Sequence, residues 1–73
     1  MNSKDIITKK HSLLSTLKIM DENKRKLLIV EDDGKYHNLI SIGDIQRAII
    51  SGVSLDTPIE KVKIDKKEVA GFI

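Results

Sequence analysis

Two short aliphatic runs constrain this chain more than any other feature. Leu27-Leu28-Ile29-Val30 and Leu39-Ile40-Ser41-Ile42 are joined only by residues 31–38. Parallel neighbours need a crossover of a dozen or more residues, usually a helix, so strands linked this closely run antiparallel. The link includes Glu31-Asp32-Asp33-Gly34-Lys35, in which Gly34 can take the positive φ that a tight hairpin turn requires. A hairpin is therefore expected, with a buried strand at 27–30, a turn at 31–35 and a second strand at 36–42.

Helical spacing flanks the hairpin on both sides. Over residues 12–23, Leu13, Leu14, Leu17 and Met20 share a face, Ser12 is placed to cap the N-terminus, and Ile19 points away from the stripe. Gly43-Asp44 opens a second helix in which Ile45, Ala48 and Ile49 share a face, Ile50 lies off it, and Gly52 is placed as the stop. Thr57-Pro58-Ile59-Glu60 has the spacing of a capping box and predicts a short helical turn from Pro58. Ile6-Ile7-Thr8 reads either as a very short strand or as a lead-in segment. The fold class expected from this order is α+β.

A chain of 73 residues allows one small domain. Such a chain buries only about 60% of its unfolded surface, so a partner subunit would add stability. With one Phe and one Tyr, the core must be aliphatic. The absence of cysteine rules out disulfides and thiolate zinc sites, and two histidines do not complete a tetrahedral site, so no metal is expected. Thirteen Lys and Arg against eleven Asp and Glu give +2, a mixed surface rather than a polybasic one. No apolar run approaches the roughly 20 residues of a membrane span, and the N-terminus lacks an apolar signal core. A cytoplasmic chain without membrane partners is the expectation.

Little in the sequence supports catalysis. His11 beside Ser12 is adjacency in sequence, which does not place a base within reach of a nucleophile, and no catalytic residue is assigned. The acidic turn lacks the ligand periodicity of a calcium loop. Lys24-Arg25-Lys26 and Lys61, Lys63, Lys66 and Lys67 raise a nucleic-acid reading, but the stacking aromatics that single-strand binders use are nearly absent, and nucleic acid is not an expected partner. The most informative stretch is the strand-to-helix junction at Ser41-Ile42-Gly43-Asp44. A helix N-terminus stabilises anions, Ser41 can donate to a phosphate oxygen, Gly43 permits close approach and Asp44 can accept from ribose hydroxyls. Equally, Asp44 can do no more than cap its own helix.

The order helix, strand, hairpin turn, strand, helix, with Leu27-Leu28-Ile29-Val30-Glu31-Asp32-Asp33-Gly34-Lys35 and Ser41-Ile42-Gly43-Asp44-Ile45, resembles a CBS (cystathionine beta-synthase) motif. The family pattern ends its strand in Thr or Ser, two residues, Asp and an apolar residue, which Ser41, Asp44 and Ile45 match. The wording from Ser41 to Ile50, followed by Leu55 to Val62, looks more narrowly like the first CBS motif ahead of a sugar-phosphate nucleotidyltransferase catalytic domain, none of which is present here. This sequence departs from the family pattern at Leu28, Asn38 and Lys63, where proline, glycine and methionine are common.

The resemblance implies a regulatory adenosyl-nucleotide-sensing module, with AMP, ADP or ATP as regulatory ligand and no required cofactor. It implies that Ser41 faces a phosphate, Asp44 the ribose, the backbone of Ile42 and Gly43 the anion, and Leu28 the base. It divides the chain into a single CBS-like motif, 1–62, and a truncated tail or linker, 63–73, towards a missing second motif. Because the family's ligand clefts form between paired motifs, a homodimer is expected, with Ile19 and Ile50 as candidate contact residues. The rival expectations are a structural dimerisation module without ligand and a small nucleic-acid-binding domain.

Overall fold

The hairpin forms, and it closes more tightly than the sequence implies. In the computed structural model, which describes residues 5–65, the elements are β1 (Ile6–Thr8), α1 (Leu13–Asn23), β2 (Leu27–Asp32), β3 (Lys35–Ser41), α2 (Ile42–Ile50) and a 3₁₀ turn (Ile59–Lys61). The fold is α+β. Asp32 pairs with Lys35, leaving only Asp33 (φ 53) and Gly34 (φ 76) in the loop. Positive φ at both central residues is the pattern of a type I′ turn, whose twist matches that of paired strands. The expected tail at 63–73 falls mostly outside the described residues.

β2 is the middle strand of a three-stranded sheet. Ile6-Ile7-Thr8 does form a strand, parallel to β2 with Ile6 opposite Ile29 and Ile7 opposite Val30, and α1 supplies the crossover that a parallel neighbour needs. Alternation along the strands splits the aliphatic side chains between two faces. Ile7, Leu28, Val30 and Ile40 join Leu13, Met20, Ile45, Ala48, Ile59 and Val62 in the core. The intervening positions Ile6, Ile29 and Leu39 are register partners across all three strands and form a row on the opposite face.

α1 begins where the sequence places it. Ser12 Oγ accepts from Ser15 N at 3.0 Å, while Leu13 N and Leu14 N donate to Thr57 O and Leu55 O, so a loop satisfies amides that a helix start leaves unpaired. Its end is a Schellman arrangement built on a lysine. Lys24 takes φ 54, Lys24 N donates to Asp21 O, and Arg25 N donates to Met20 O.

The buried face is rotated from the expected one. Leu13, Thr16 and Met20 are buried, Leu14 is exposed, and Ile19, expected off the stripe, packs partly against the core. Thr16 tolerates full burial because its hydroxyl donates to Ser12 O at 2.8 Å. On α2, Ile45 and Ala48 are buried as expected, but Ile49 joins Ile50 in solvent.

The capping box expected at Thr57–Glu60 is not made. Thr57 O accepts from Leu13 N, Pro58 is extended (φ −65, ψ 144) and bridges Ser12, and Glu60 N donates to Lys9 O while its carboxylate pairs with Lys10 at 3.1 Å. Of the two amides the box would use, Glu60 N is taken by Lys9 O ahead of α1 and Thr57 N by Ser54 O, and the helical turn starts at Ile59. Nearby, the Lys9 ammonium is raised above its ordinary value, first by its hydrogen bond to Asp32 and then by that carboxylate's charge. A raised folded-state value means the pair favours folding at neutral pH and fades as the medium rises above the lysine range.

Leu13 (0% exposed) and Leu14 (39%) provide a test of this packing. Leu13→Ala is expected to cost about 2–5 kcal/mol, and Leu14→Ala less than about 1 kcal/mol, by urea denaturation followed by circular dichroism.

Candidate functional site

β3 runs directly into α2, which brings Ser41, Ile42, Gly43 and Asp44 together at one corner. Ser41 is the N-cap, with extended backbone at φ −106 and ψ 163, and α2 starts at Ile42, ahead of the expected Gly43-Asp44 opening. Ser41 Oγ accepts from Asp44 N at 3.2 Å, and Asp44 Oδ2 accepts from Ser41 N at 2.7 Å, which completes a capping box here.

The Asp44 side chain is fully buried and heavily engaged. Oδ2 also accepts from Ser41 Oγ at 3.0 Å, while Oδ1 accepts from Arg47 Nη2 at 2.8 Å and from Asp65 N at 3.2 Å. Arg47 bridges onward to the Asp65 carboxylate at 2.9 Å. A carboxylate offers about four lone-pair positions, and these donors fill that number. Arg47 also covers Gly43: a Cβ built there would meet its Nη1 at 3.4 Å. The capping role weighed for Asp44 is thus present, and the carboxylate turns inward.

Leu28 is fully buried opposite Ile40 and presents no side-chain surface to a ligand. Strand alternation points the Leu28 side chain into the core, so a base lying near the start of this strand would meet backbone rather than that side chain. Of the residues expected at the site, Ile42 lines an open groove, and Ser41 and Gly43 are half-buried beside it in the chain.

That groove, of about 450 Å³, lies between the end of α1 and the start of α2. Leu17, Met20 and Ile42 supply its apolar lining, and Lys24, Arg25 and Lys26 its basic rim, with Asp21 on the α1 side. A hydrogen bond from Ile42 N to Lys26 O at 2.9 Å holds the two walls together. Arg25 is anchored by Asp5 at 3.3 Å, while Lys24 and Lys26 are exposed. The basic triplet is visible in the sequence. Its apolar floor is not, because Ile42 arrives from beyond the hairpin.

The other described basic residues fall elsewhere. Lys61 and Lys63 line a second groove of about 450 Å³ with Arg47 and Asp65, so the positive charge is divided between two grooves. Lys66 and Lys67 lie outside the described residues. His11 Nδ1 lies 3.1 Å from both Thr8 N and Thr8 Oγ1 and closes a turn, while Ser12 caps α1. Among the described residues no His, Asp or Glu cluster is arranged to hold a metal ion, and no helix is long and apolar enough to cross a membrane. No family model matches the chain, and neither does any curated protein.

Replacing the Asp44 carboxylate removes a shared acceptor from Ser41, Arg47 and Asp65 at once. Asp44→Ala is expected to cost on the order of 3 kcal/mol, because buried donors are left unpaired. Arg47→Lys, at a half-exposed position, is expected to cost about 1 kcal/mol or less. Urea denaturation of the two variants beside the parent chain checks both.

Proposed function

We propose that this chain is a cytoplasmic CBS-type regulatory module that binds an adenosyl nucleotide, AMP, ADP or ATP, and acts as a homodimer. The observation that carries this reading is the α1–α2 groove, which joins an apolar lining to a basic rim. A purine ring suits Leu17, Met20 and Ile42, with the polarizable thioether of Met20 favourable against an aromatic face. Phosphates suit Lys24 and Lys26, whose exposed ammonium groups supply charge complementarity. The resemblance to CBS motifs adds the regulatory role and the kind of activity regulated, that of a sugar-phosphate nucleotidyltransferase. Regulation then follows as a population shift: a nucleotide that prefers one packing of paired modules changes the fraction of molecules in that packing.

A second reading, an association module without ligand, is favoured by a different observation. Ile50 is 83% exposed and Ile49 and Leu55 are also exposed, while Ile6 and Ile29 are half-buried on the other sheet face beside the buried Leu39. Ile19 is withdrawn from this argument by its packing against the core.

Calorimetric titration of ATP, ADP and AMP into the chain, with light scattering on the same sample, separates the readings. Saturable binding to a dimer is expected, and Lys24→Glu with Lys26→Glu should weaken ATP at least about tenfold while leaving the circular dichroism unchanged. A folded dimer that binds none of the three supports association alone. A folded monomer across micromolar concentrations overturns the dimer. Binding of single-stranded DNA with a steep salt dependence, in place of nucleotide, would return the basic triplet to nucleic-acid recognition.

A further inference from the structure

We infer that the second groove, between α2 and the segment after the 3₁₀ turn, binds a phosphate group, and that the Asp65 carboxylate holds the place of that anion. The site is separate from the α1–α2 groove and does not depend on the nucleotide reading.

Charge in this groove is unbalanced. Arg47, Lys61 and Lys63 line it against the single carboxylate of Asp65, with Ala48 and Val53 as the apolar part of its wall. Lys61 and Lys63 are exposed, and among the described residues neither makes an ion pair. A cleft lined by one sign of charge concentrates counter-ions. One carboxylate supplies a single negative charge, whereas a phosphate group carries about −1.5 to −2 at neutral pH and presents three acceptor oxygens. The Ser51 hydroxyl, also on this groove, donates to Ala48 O at 2.9 Å, so the lining side chains left to donate to an anion are the three cations.

Asp65 marks where the anion sits. Arg47 Nη2 donates to Asp44 Oδ1 at 2.8 Å and lies 2.9 Å from Asp65 Oδ2, so one nitrogen serves two carboxylates. The two are held very differently. Asp44 is fully buried and stands one helical turn before Arg47 on α2, while the Asp65 side chain is 56% exposed. An exposed ion pair is weak, so an incoming dianion can take the place of Asp65 on the guanidinium. Asp44 meanwhile keeps the arginine fork, whose planar geometry suits phosphate, in position. The bond from Asp65 N to Asp44 Oδ1 at 3.2 Å belongs to the backbone, and exchange of the carboxylate does not require it to break. Phosphate and the Asp65 carboxylate therefore compete for Arg47, with Lys61 and Lys63 adding charge that favours the phosphate.

Titration of inorganic phosphate and of phenyl phosphate into the full chain, followed by amide shifts in NMR, tests the site. Three forms are compared: the parent, Asp65→Ala, and Asp65→Ala combined with Lys61→Glu and Lys63→Glu, each checked for folding by circular dichroism. Saturable shifts are expected at the amides of Ser51, Val53, Lys61 and Lys63. Asp65→Ala keeps the backbone bond to Asp44 and removes only the competing carboxylate, so it is expected to bind phosphate about two- to fivefold more tightly, the range of one exposed ion pair. The triple variant is expected to lose the saturable shifts. Tighter binding of phenyl phosphate assigns the groove to phosphate esters, with the organic group against Ala48 and Val53, and equal binding assigns it to free phosphate; either upholds the site. Binding to Asp65→Ala no tighter than to the parent, or undiminished in the triple variant, overturns the proposal. So do shifts confined to Lys24, Arg25 and Lys26, or no saturable shift in the parent and Asp65→Ala.

Discussion

β2 is the strand on which everything else is measured. It is hydrogen-bonded on both edges, to β1 and to β3, and its alternation buries Leu28 and Val30 beneath the helices. A chain of this size has little apolar surface to bury, so losing the middle strand would strand both neighbours and the helix faces packed on them. The candidate groove depends on it as well. Lys26, the residue immediately ahead of β2, accepts from Ile42 N and so fixes the start of α2 against the end of α1.

The parts of this architecture legible in the sequence are those decided over a few residues. Asp33-Gly34 between two aliphatic runs specifies a two-residue hairpin, because few residues enter the left-handed region without cost. Ser12 ahead of a periodic apolar stretch specifies a helix start. The parts that were not legible were decided by distant partners. Thr57-Pro58-Ile59-Glu60 has the local chemistry of a capping box, yet Lys9, ahead of α1, takes the Glu60 amide and Ser54 takes that of Thr57. The box forms at Ser41 and Asp44, where a strand delivers the cap directly into the helix.

Side-chain burial divides in the same way. Periodicity alone places Leu14 in the core and leaves Ile19 outside, since it reports an average face and not the angle at which a helix docks. The sheet's choice of angle puts a threonine in a fully buried position, and that is acceptable because a carbonyl four residues back takes its hydroxyl. The candidate site was legible in its pieces. Ser41, Asp44 and the basic triplet all stand out in the sequence, but which of them face solvent is settled by folding. Asp44 turns inward to hold its corner together, while Asp21 and Lys24 remain on the groove.

The ties between Asp65 and α2 give the fold an order of loosening. Asp65 N bonds Asp44, and the Asp65 carboxylate bonds Arg47, which closes the segment from 45 to 64 into a ring without a covalent link. Release of residue 65 removes a ligand from both Asp44 and Arg47, and the first turn of α2 loses part of its anchorage in the same event. Mechanical tension applied beyond residue 65 would therefore be felt first at the β3–α2 corner, and through Ile42 at the wall of the groove.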